Sequence, residues 1–201
     1  MSGHGATGLL VRNSQSYAFL RAGRKPNPLV ADAVNLLDDK HGRALDIGAG
    51  PLNNTRFLLD AGFSVDAIDT DPFFLSLASA LNNRRLNAVL ADIRNAWIAP
   101  DAYSLIVAIH ILPFLPRADL PWIMSSIVDG LAKNGILCCT FFGVRDSWAQ
   151  RGRRMIFLSR SEISPFLTGL KQIEFSELVY DGADAQNRPK HWNIFRCILR
   201  K

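Results

Sequence analysis

The sequence has few cysteines, no long apolar run and no secretory signal. Its three cysteines, two of them adjacent at Cys138 and Cys139, form no disulfide framework and have no zinc-site spacing. No apolar stretch approaches the ~20 residues of a membrane-spanning helix. Residues 1–8 lack the basic and apolar regions of a secretory signal. We therefore expect a cytoplasmic protein with buried thiols, no metal site and no membrane partner.

Charge is distributed unevenly along the chain, whose formal net charge is +5. Residues 1–25 contain four basic residues and no acidic one, and residues 145–160 contain five arginines and one aspartate. Each of these segments therefore carries +4, and the remaining residues carry −3. Two basic segments on a mildly acidic body are compatible with an anionic partner, although solvated loops can have the same composition.

Apolar periodicity predicts alternating strands and helices. Short strands are predicted over residues 44–47, 64–69, 87–91, 103–109 and 136–142. Amphipathic helices are predicted over residues 28–37, 55–61, 72–81 and 120–131, and a capping box at Ser159 begins another. This alternation predicts an α/β fold with a parallel sheet and helices on both faces.

Both ends of the chain depart from this pattern. Residues 171–179 and 191–199 are predicted strands joined by a polar loop that is too short for a crossover helix, which predicts an antiparallel hairpin. Residues 1–27 show no sustained periodicity and are predicted to form a mobile N-terminal arm or lid. Residues 28–201 then form a single domain.

A glycine-rich turn follows the first predicted strand. Gly48 and Gly50 allow a sharp turn and a close approach of the backbone to a ligand. Asp69 ends the next strand, 21 residues after Gly48, where an acid accepts hydrogen bonds from ribose hydroxyls. Because ligands of open α/β sheets bind at the carboxyl ends of the strands, the turn predicts a site for a nucleoside cofactor.

The same turn lacks the third glycine of the dinucleotide-binding pattern. Asn53 stands at that position, after Pro51 and Leu52, which argues against a nicotinamide cofactor. S-adenosylmethionine has no phosphate and tolerates a looser turn. Asp92, at the end of the third predicted strand, is a candidate acceptor for an adenine amino group.

With these features the sequence resembles the class I S-adenosylmethionine-dependent methyltransferases, and most closely their small bacterial, tellurite-resistance-type branch. The resemblance covers residues 28–201 and rests on the segments 45–50, 67–69, 91–92, 107–110, 141–148 and 190–195. It implies a doubly wound, mostly parallel seven-stranded sheet of order 3-2-1-4-5-7-6, with strand 7 antiparallel. The departure lies at residues 51–53, where many members carry another glycine.

The resemblance also implies where the cofactor binds. Asp46, Gly48 and Gly50 are placed around the methionine moiety, although Asp46 could instead cap the following turn. Asp69 is placed at the ribose, and Asp92 with Ile93 at the adenine. The predicted cofactor-binding residues are therefore Asp46, Gly48, Gly50, Asp69, Thr70, Asp92, Ile93 and Ile109.

The candidate acceptor residues follow the later strands. His110 or His191 is the candidate general base, because a histidine pKa near working pH suits proton transfer; either could instead have only a packing or hydrogen-bonding role. The candidate substrate-binding residues are Tyr17, Arg145, Trp148 and Trp192. Of these, Tyr17 is suggested only by the family's habit of closing its pocket with N-terminal residues.

The predicted activity is methyl transfer from S-adenosylmethionine to a small-molecule acceptor by in-line displacement, with S-adenosylhomocysteine as product. An anionic acceptor is a sub-hypothesis that rests on the two basic segments. An RNA methyltransferase that binds phosphates through those segments is the alternative, and a nucleoside-cofactor binder without transfer activity is a third interpretation. The sequence leaves the oligomeric state open.

Overall fold

Seven strands form one sheet in the computed structural model, which describes residues 21–201. The strands are β1 (Arg43–Ile47), β2 (Ser64–Asp69), β3 (Leu86–Leu90), β4 (Tyr103–Ala108), β5 (Leu131–Phe142), β6 (Lys171–Ala183) and β7 (Pro189–Arg200). Their order across the sheet is β3-β2-β1-β4-β5-β7-β6. β7 runs antiparallel to both β5 and β6, and the other pairs are parallel. The predicted fold class and strand order are confirmed.

The N-terminal part of the chain lies mostly outside the described residues. The structure does not describe residues 1–20 of the predicted arm, which include Tyr17. Arg21 is the first described residue. Its carbonyl oxygen accepts a hydrogen bond of 2.7 Å from the Asn53 side chain, and its guanidinium donates one of 3.3 Å to the Asp184 carbonyl oxygen.

Helices connect the strands on both faces of the sheet. The described α-helices are α1 (Pro28–Asn35), α2 (Asn53–Ala61), α3 (Pro72–Leu81), α4 (Leu120–Gly130), α5 (Ser147–Gln150) and α6 (Arg160–Ile163). Single 3₁₀ turns lie at Leu112–Phe114 and Ser164–Leu167.

Side-chain caps determine where several helices begin. The Asn27 side chain accepts a hydrogen bond from the Leu29 N–H before α1, and Asp71 accepts one from the Phe73 N–H before α3. Both helices carry proline in the first turn, where no N–H partner is needed. The predicted capping box before α6 is confirmed, since Ser159 and Glu162 each accept the other's backbone N–H.

Strand alternation divides the core between the two faces. On one face, Ala44 and Leu105 pack with Leu29 of α1 and Leu58 of α2. The next residue along each strand points to the opposite face of the sheet. On that face, Ile106 of β4 packs with residues of α4. The central strands are therefore buried on both sides, as their continuous apolar sequences predict.

The end of α4 and the start of β5 differ from the prediction. The predicted helix continues to Leu131, whereas α4 ends at Gly130 and Leu131 already pairs with Tyr103. The register then shifts by a bulge before Ile136. A β-carbon on Gly130 would lie 2.5 Å from the Ile98 side chain, so glycine allows this close approach. Such contacts between distant residues leave no trace in local periodicity.

The final hairpin is longer than predicted and extends past the end of β5. Its loop, residues 184–188, is held by the Asp184 carboxylate, which accepts hydrogen bonds from the Gln186 and Arg188 N–H groups and from the Arg188 guanidinium. Phe142, the last residue of β5, pairs with Ile194. The first residues of β7 therefore lie beyond the carboxyl end of β5, beside the ends of the other parallel strands.

Leu52, just before α2, has a left-handed backbone with a φ of 62°. This conformation favours glycine, and it falls within residues 51–53, where the sequence departs from the related family. The leucine side chain is fully buried with Ala67 and Phe74. Burial of its apolar surface offsets the steric cost of the backbone.

Replacing Leu52 should reverse the usual stability order of alanine and glycine. Both Leu52→Ala and Leu52→Gly lose the buried side chain, at about 2–5 kcal/mol. Only the alanine variant retains the steric cost of the left-handed backbone, so the glycine variant should be more stable by ~0.5–1 kcal/mol. Leu58, buried inside α2, is the matched control, where glycine should be the less stable variant by ~1 kcal/mol. Urea unfolding of the four variants measures both orders, and the same order at both positions would contradict this account.

Candidate functional site

Two glycines shape the turn after β1 in different ways. Both have positive φ angles, 72° at Gly48 and 48° at Gly50. A β-carbon on Gly48 would lie 2.8 Å from the Ile111 side chain, so this glycine is needed for packing. A β-carbon on Gly50 would meet nothing closer than the Gly48 carbonyl oxygen at 3.9 Å. The backbone at Gly50 is therefore open to a ligand.

Asp69 connects this turn to the end of β2. One carboxylate oxygen accepts a hydrogen bond of 2.7 Å from the Gly50 N–H, and the other accepts one of 2.9 Å from the Asp71 N–H. Partial burial raises the pKa of Asp69 against the lowering effect of these bonds. A carboxylate has about four acceptor positions, so Asp69 keeps capacity to accept from a further donor. Its position and free capacity fit a ribose diol.

Asp46 lies beneath the turn on the side of α2. Its carboxylate is buried and accepts a hydrogen bond of 2.6 Å from the Thr55 hydroxyl. Burial raises its pKa to about 6, and the nearby Asp69 charge adds to the effect. The observed contact joins β1 to α2.

Asp92, the predicted adenine contact, is paired with a neighbouring arginine. Both carboxylate oxygens accept hydrogen bonds of 2.7–3.0 Å from the Arg94 guanidinium, and this pairing lowers the pKa of Asp92. An adenine amino group would have to compete with Arg94. Ile93 is buried beside this pair, and Arg94, two residues after Asp92, is a local partner that the prediction did not consider.

The other predicted cofactor residues occupy the same edge of the sheet. Thr70 is exposed directly after β2, and Ile109 follows β4 and packs partly against the core that contains α1 and α2. The carboxyl ends of β1, β2 and β4 thus converge, as parallel strands require.

His110 follows β4 and is held by the neighbouring strand. Its backbone N–H donates a hydrogen bond of 2.8 Å to the Thr140 hydroxyl of β5, and its ring Nδ1 lies 3.4 Å from that oxygen. The ring packs on Phe142 and Trp192, with centroids 5.6 and 6.3 Å away. Burial, assisted by the Lys190 charge, lowers the His110 pKa to about 4. This pKa lies below the value near working pH that was expected, and the imidazole is neutral at pH 7.

His191 does not join this cluster. Lys190 and Trp192 flank it in β7 and contact each other, so strand alternation places His191 on the opposite face. Its Nδ1 lies 2.7 Å from an Asp181 carboxylate oxygen on β6. Because consecutive strand residues point to opposite sides, His191 lies away from the Lys190 and Trp192 side chains and from His110.

The predicted substrate-binding residues divide between a cluster and a surface pair. Trp148 and Trp192 come together, with ring centroids 5.6 Å apart. Arg145, in contrast, forms an exposed ion pair of 2.8 Å with Glu177, and this bond lowers the pKa of Glu177. Its guanidinium is already paired with an acid, which weakens its case as an anion-binding residue.

Several residues at this edge escaped the sequence analysis. Thr140 orients His110, and Ile111 fills the space against Gly48. Lys190 and Asp146 form a buried ion pair across 44 residues of sequence. Spacing cannot reveal this pairing; the only signal was a lysine two residues before a tryptophan at the start of an apolar strand.

Residues 21–201 contain neither a metal-binding cluster nor a membrane-spanning helix. No group of three His, Cys, Asp or Glu side chains in this range is arranged to hold a metal ion. None of the helices described there has the length and apolar character needed to cross a membrane.

Comparison with known proteins gives one family match. Residues 44–135 match the family model described as Methyltransferase domain. This range contains β1 to β4 and the converging strand ends described above. No curated protein matches the chain significantly in sequence.

Solved structures share the fold at low sequence identity. TehB from Haemophilus influenzae is 17% identical with a TM-score of 0.74; the alignment covers 88% of this chain and 62% of TehB, so the chain spans less than two thirds of that protein. The 1,6-didemethyltoxoflavin-N1-methyltransferase of Burkholderia thailandensis, solved with 1,6-didemethyltoxoflavin and S-adenosylhomocysteine, is 18% identical, with a TM-score of 0.66 and coverage of 87% and 77%. The N-methyltransferase NodS of Bradyrhizobium japonicum, in complex with S-adenosylhomocysteine, is 20% identical, with a TM-score of 0.59 and coverage of 92% and 97%.

Removing the charge of Asp46 should stabilise the protein at neutral pH. Its pKa is raised on folding from 3.8 to about 6, so the native state binds more protons between these values and stability falls as the pH rises through them. Asp46→Asn keeps an acceptor for Thr55 and cannot ionise. We expect the free energy of unfolding of Asp46→Asn to exceed that of the wild type by up to ~3 kcal/mol at pH 8, with the difference lost below about pH 4.

Urea unfolding between about pH 4 and about pH 8 measures this difference. Asp60→Asn, at an exposed position of α2, is the control and should change stability little at any pH. Equal pH dependence of the wild type and Asp46→Asn would show that Asp46 titrates normally.

Proposed function

We propose that this chain, a class I S-adenosylmethionine-dependent methyltransferase by its family match and its fold, transfers the methyl group to a small-molecule acceptor. The methyltransferase-domain match over residues 44–135 agrees with the predicted resemblance, enzyme class and cofactor, and the solved structures that share the fold include complexes with S-adenosylhomocysteine. The acceptor and the roles of individual residues are our proposal.

The observation that carries the cofactor assignment is the bond from the Gly50 N–H to the Asp69 carboxylate. It holds an acceptor with free capacity beside an open backbone segment, at the point where the strand ends converge. We propose that Asp69 accepts the two ribose hydroxyls and that the backbone of residues 48–50 lies along the methionine moiety. Thr70, Ile93 and Ile109 would then border the ribose and adenine.

The chain's contribution to the reaction is mainly alignment. When bound, S-adenosylmethionine supplies a methyl group already activated by its sulfonium. Holding an acceptor in line with that group can contribute ~7–11 kcal/mol of the barrier. His110 lies at the end of β4 as a neutral imidazole, so it can accept a proton from an acceptor that must lose one. His191 is on the opposite face, and we therefore assign any base role to His110.

The walls of the site favour a small acceptor. Trp192 and Phe142 border His110, and Trp148 packs on both. We propose that Trp192 and Trp148 bound an acceptor pocket. The neighbour solved with bound 1,6-didemethyltoxoflavin shows that this fold can accommodate a small acceptor. Since Arg145 is paired with Glu177, the proposal rests on aromatic walls and not on an anionic acceptor.

Replacing Asp69 tests the cofactor site. Loss of hydrogen bonds to a charged acceptor should weaken S-adenosylhomocysteine binding by at least ~10-fold in Asp69→Ala. Isothermal titration calorimetry measures the affinity, with Asp69→Asn as a variant that keeps one acceptor and with Asp60→Ala as the matched surface control. Unchanged affinity in Asp69→Ala, or binding of NAD in place of S-adenosylhomocysteine by the wild type, would overturn the assignment.

Transfer of labelled methyl groups tests the acceptor class. Protein incubated with methyl-labelled S-adenosylmethionine and separate metabolite and RNA fractions should label the metabolite fraction. Labelling of RNA alone would replace the small-molecule proposal with the alternative from the sequence. Labelling of neither fraction, with normal S-adenosylhomocysteine binding, would favour a cofactor binder without transfer activity.

A further inference from the structure

A lysine is sealed inside the aromatic cluster next to His110. The side chains of Lys190 and Asp146 are 1% and 0% exposed, and they form a direct ion pair. The Lys190 Nζ lies 3.9 Å from the ring centroid of Trp148 and 4.1 Å from that of Trp192. Both indole faces therefore attract the same ammonium group.

The carboxylate of this pair holds two segments of chain together. Asp146 accepts a hydrogen bond of 2.9 Å from the Trp148 N–H and one of 3.3 Å from the Asn193 N–H. The first bond begins α5, and the second reaches the start of β7. The loop after β5 and the first residues of β7 are thus joined by one buried carboxylate and its lysine.

The ion pair and His110 share their aromatic neighbours. Phe142 and Trp192 pack on the His110 ring, and both also lie within 6 Å of the Lys190 ammonium. Burying two charges costs desolvation energy that an apolar pair of similar size would avoid. Stability alone therefore gives little reason for charges at this position, whereas a reaction site beside them does.

We propose that Lys190 is a positioning residue of the acceptor site: its ammonium, anchored by Asp146, fixes the Trp148 and Trp192 rings and directs a positive charge towards His110. The inference rests on the proposed function in that it takes the space beside His110 as the acceptor site. Its physical consequence is that Lys190 disfavours protonation of His110 and keeps the imidazole neutral beside the acceptor.

Other charged and titratable groups surround the cluster. Arg153 lies over the Trp148 ring, 4.4 Å from its centroid. Tyr180 of β6 stacks on Trp192, and Asp146 approaches from the loop after β5. The charge of Lys190 is the one that acts on His110 in the direction observed, adding to the effect of burial.

The double variant Lys190→Met, Asp146→Asn separates positioning from simple structural support. It removes both charges together, so neither partner is left buried and unpaired. Imidazole NMR signals, assigned with His110→Asn, report the titration of His110, and calorimetry with S-adenosylhomocysteine reports the cofactor site. Lys171→Met is the matched control, since Lys171 is an exposed lysine at the start of β6.

In the wild type and in Lys171→Met, His110 should remain neutral from about pH 8 down to about pH 5. In the double variant the midpoint of the His110 titration should move to higher pH, with the affinity for S-adenosylhomocysteine unchanged. Once an acceptor is identified, its KM should rise in the double variant, and Lys190→Arg should restore part of the loss.

An unmoved His110 midpoint in a folded double variant would show that Lys190 is purely structural. Should that variant not fold, the wild type still decides, because titration of its His110 near the ordinary histidine pKa would overturn the inference. Failure of the proposed function looks different, because wild-type protein would then not bind S-adenosylhomocysteine at all.

Discussion

The hydrogen bond from the Gly50 N–H to the Asp69 carboxylate fixes the relation between the turn after β1 and the end of β2. The Gly48 N–H and the Ala49 N–H both donate to the Ile68 carbonyl oxygen at the same place. Three backbone donors of one turn are thereby satisfied by the last two residues of the neighbouring strand. A turn held this firmly can present its remaining surface to a ligand at little cost in ordering.

Leu52 shows how the chain reaches this arrangement without a further glycine. The backbone needs a left-handed residue just before α2, and glycine would adopt that conformation freely. Leu52 adopts it with its side chain fully buried with Ala67 of β2 and Phe74 of α3. At residues 51–53, where the sequence departs from the family pattern, a left-handed backbone is thus combined with a buried apolar side chain.

Most of the fold could be predicted because it depends on local patterns. Continuous apolar strands, proline and Asx caps, and a loop too short for a crossover each have a local cause, and the strand order followed from the resemblance. The pairing of Leu131 with Tyr103, directly after α4, could not be predicted, since it joins residues that are distant in sequence. The site divides in the same way. Asp69 could be predicted because it lies at a fixed distance in sequence from the glycines. Thr140 could not, because it contacts His110 only through strand pairing.

Charge placement separates the two sides of the site. On the side of the proposed cofactor site, Asp46 and Asp69 are acidic groups whose pKa values are raised by burial. On the side of the proposed acceptor site, the buried groups are the neutral His110 and the paired Lys190 and Asp146. Acids on one side can hold hydroxyl and amino donors, and a neutral imidazole beside a paired cation can take up a proton. Because β7 runs antiparallel, it delivers Lys190 from the end of the chain to the edge where the parallel strands finish. The antiparallel strand thus completes a site that the parallel strands alone would leave without its second half.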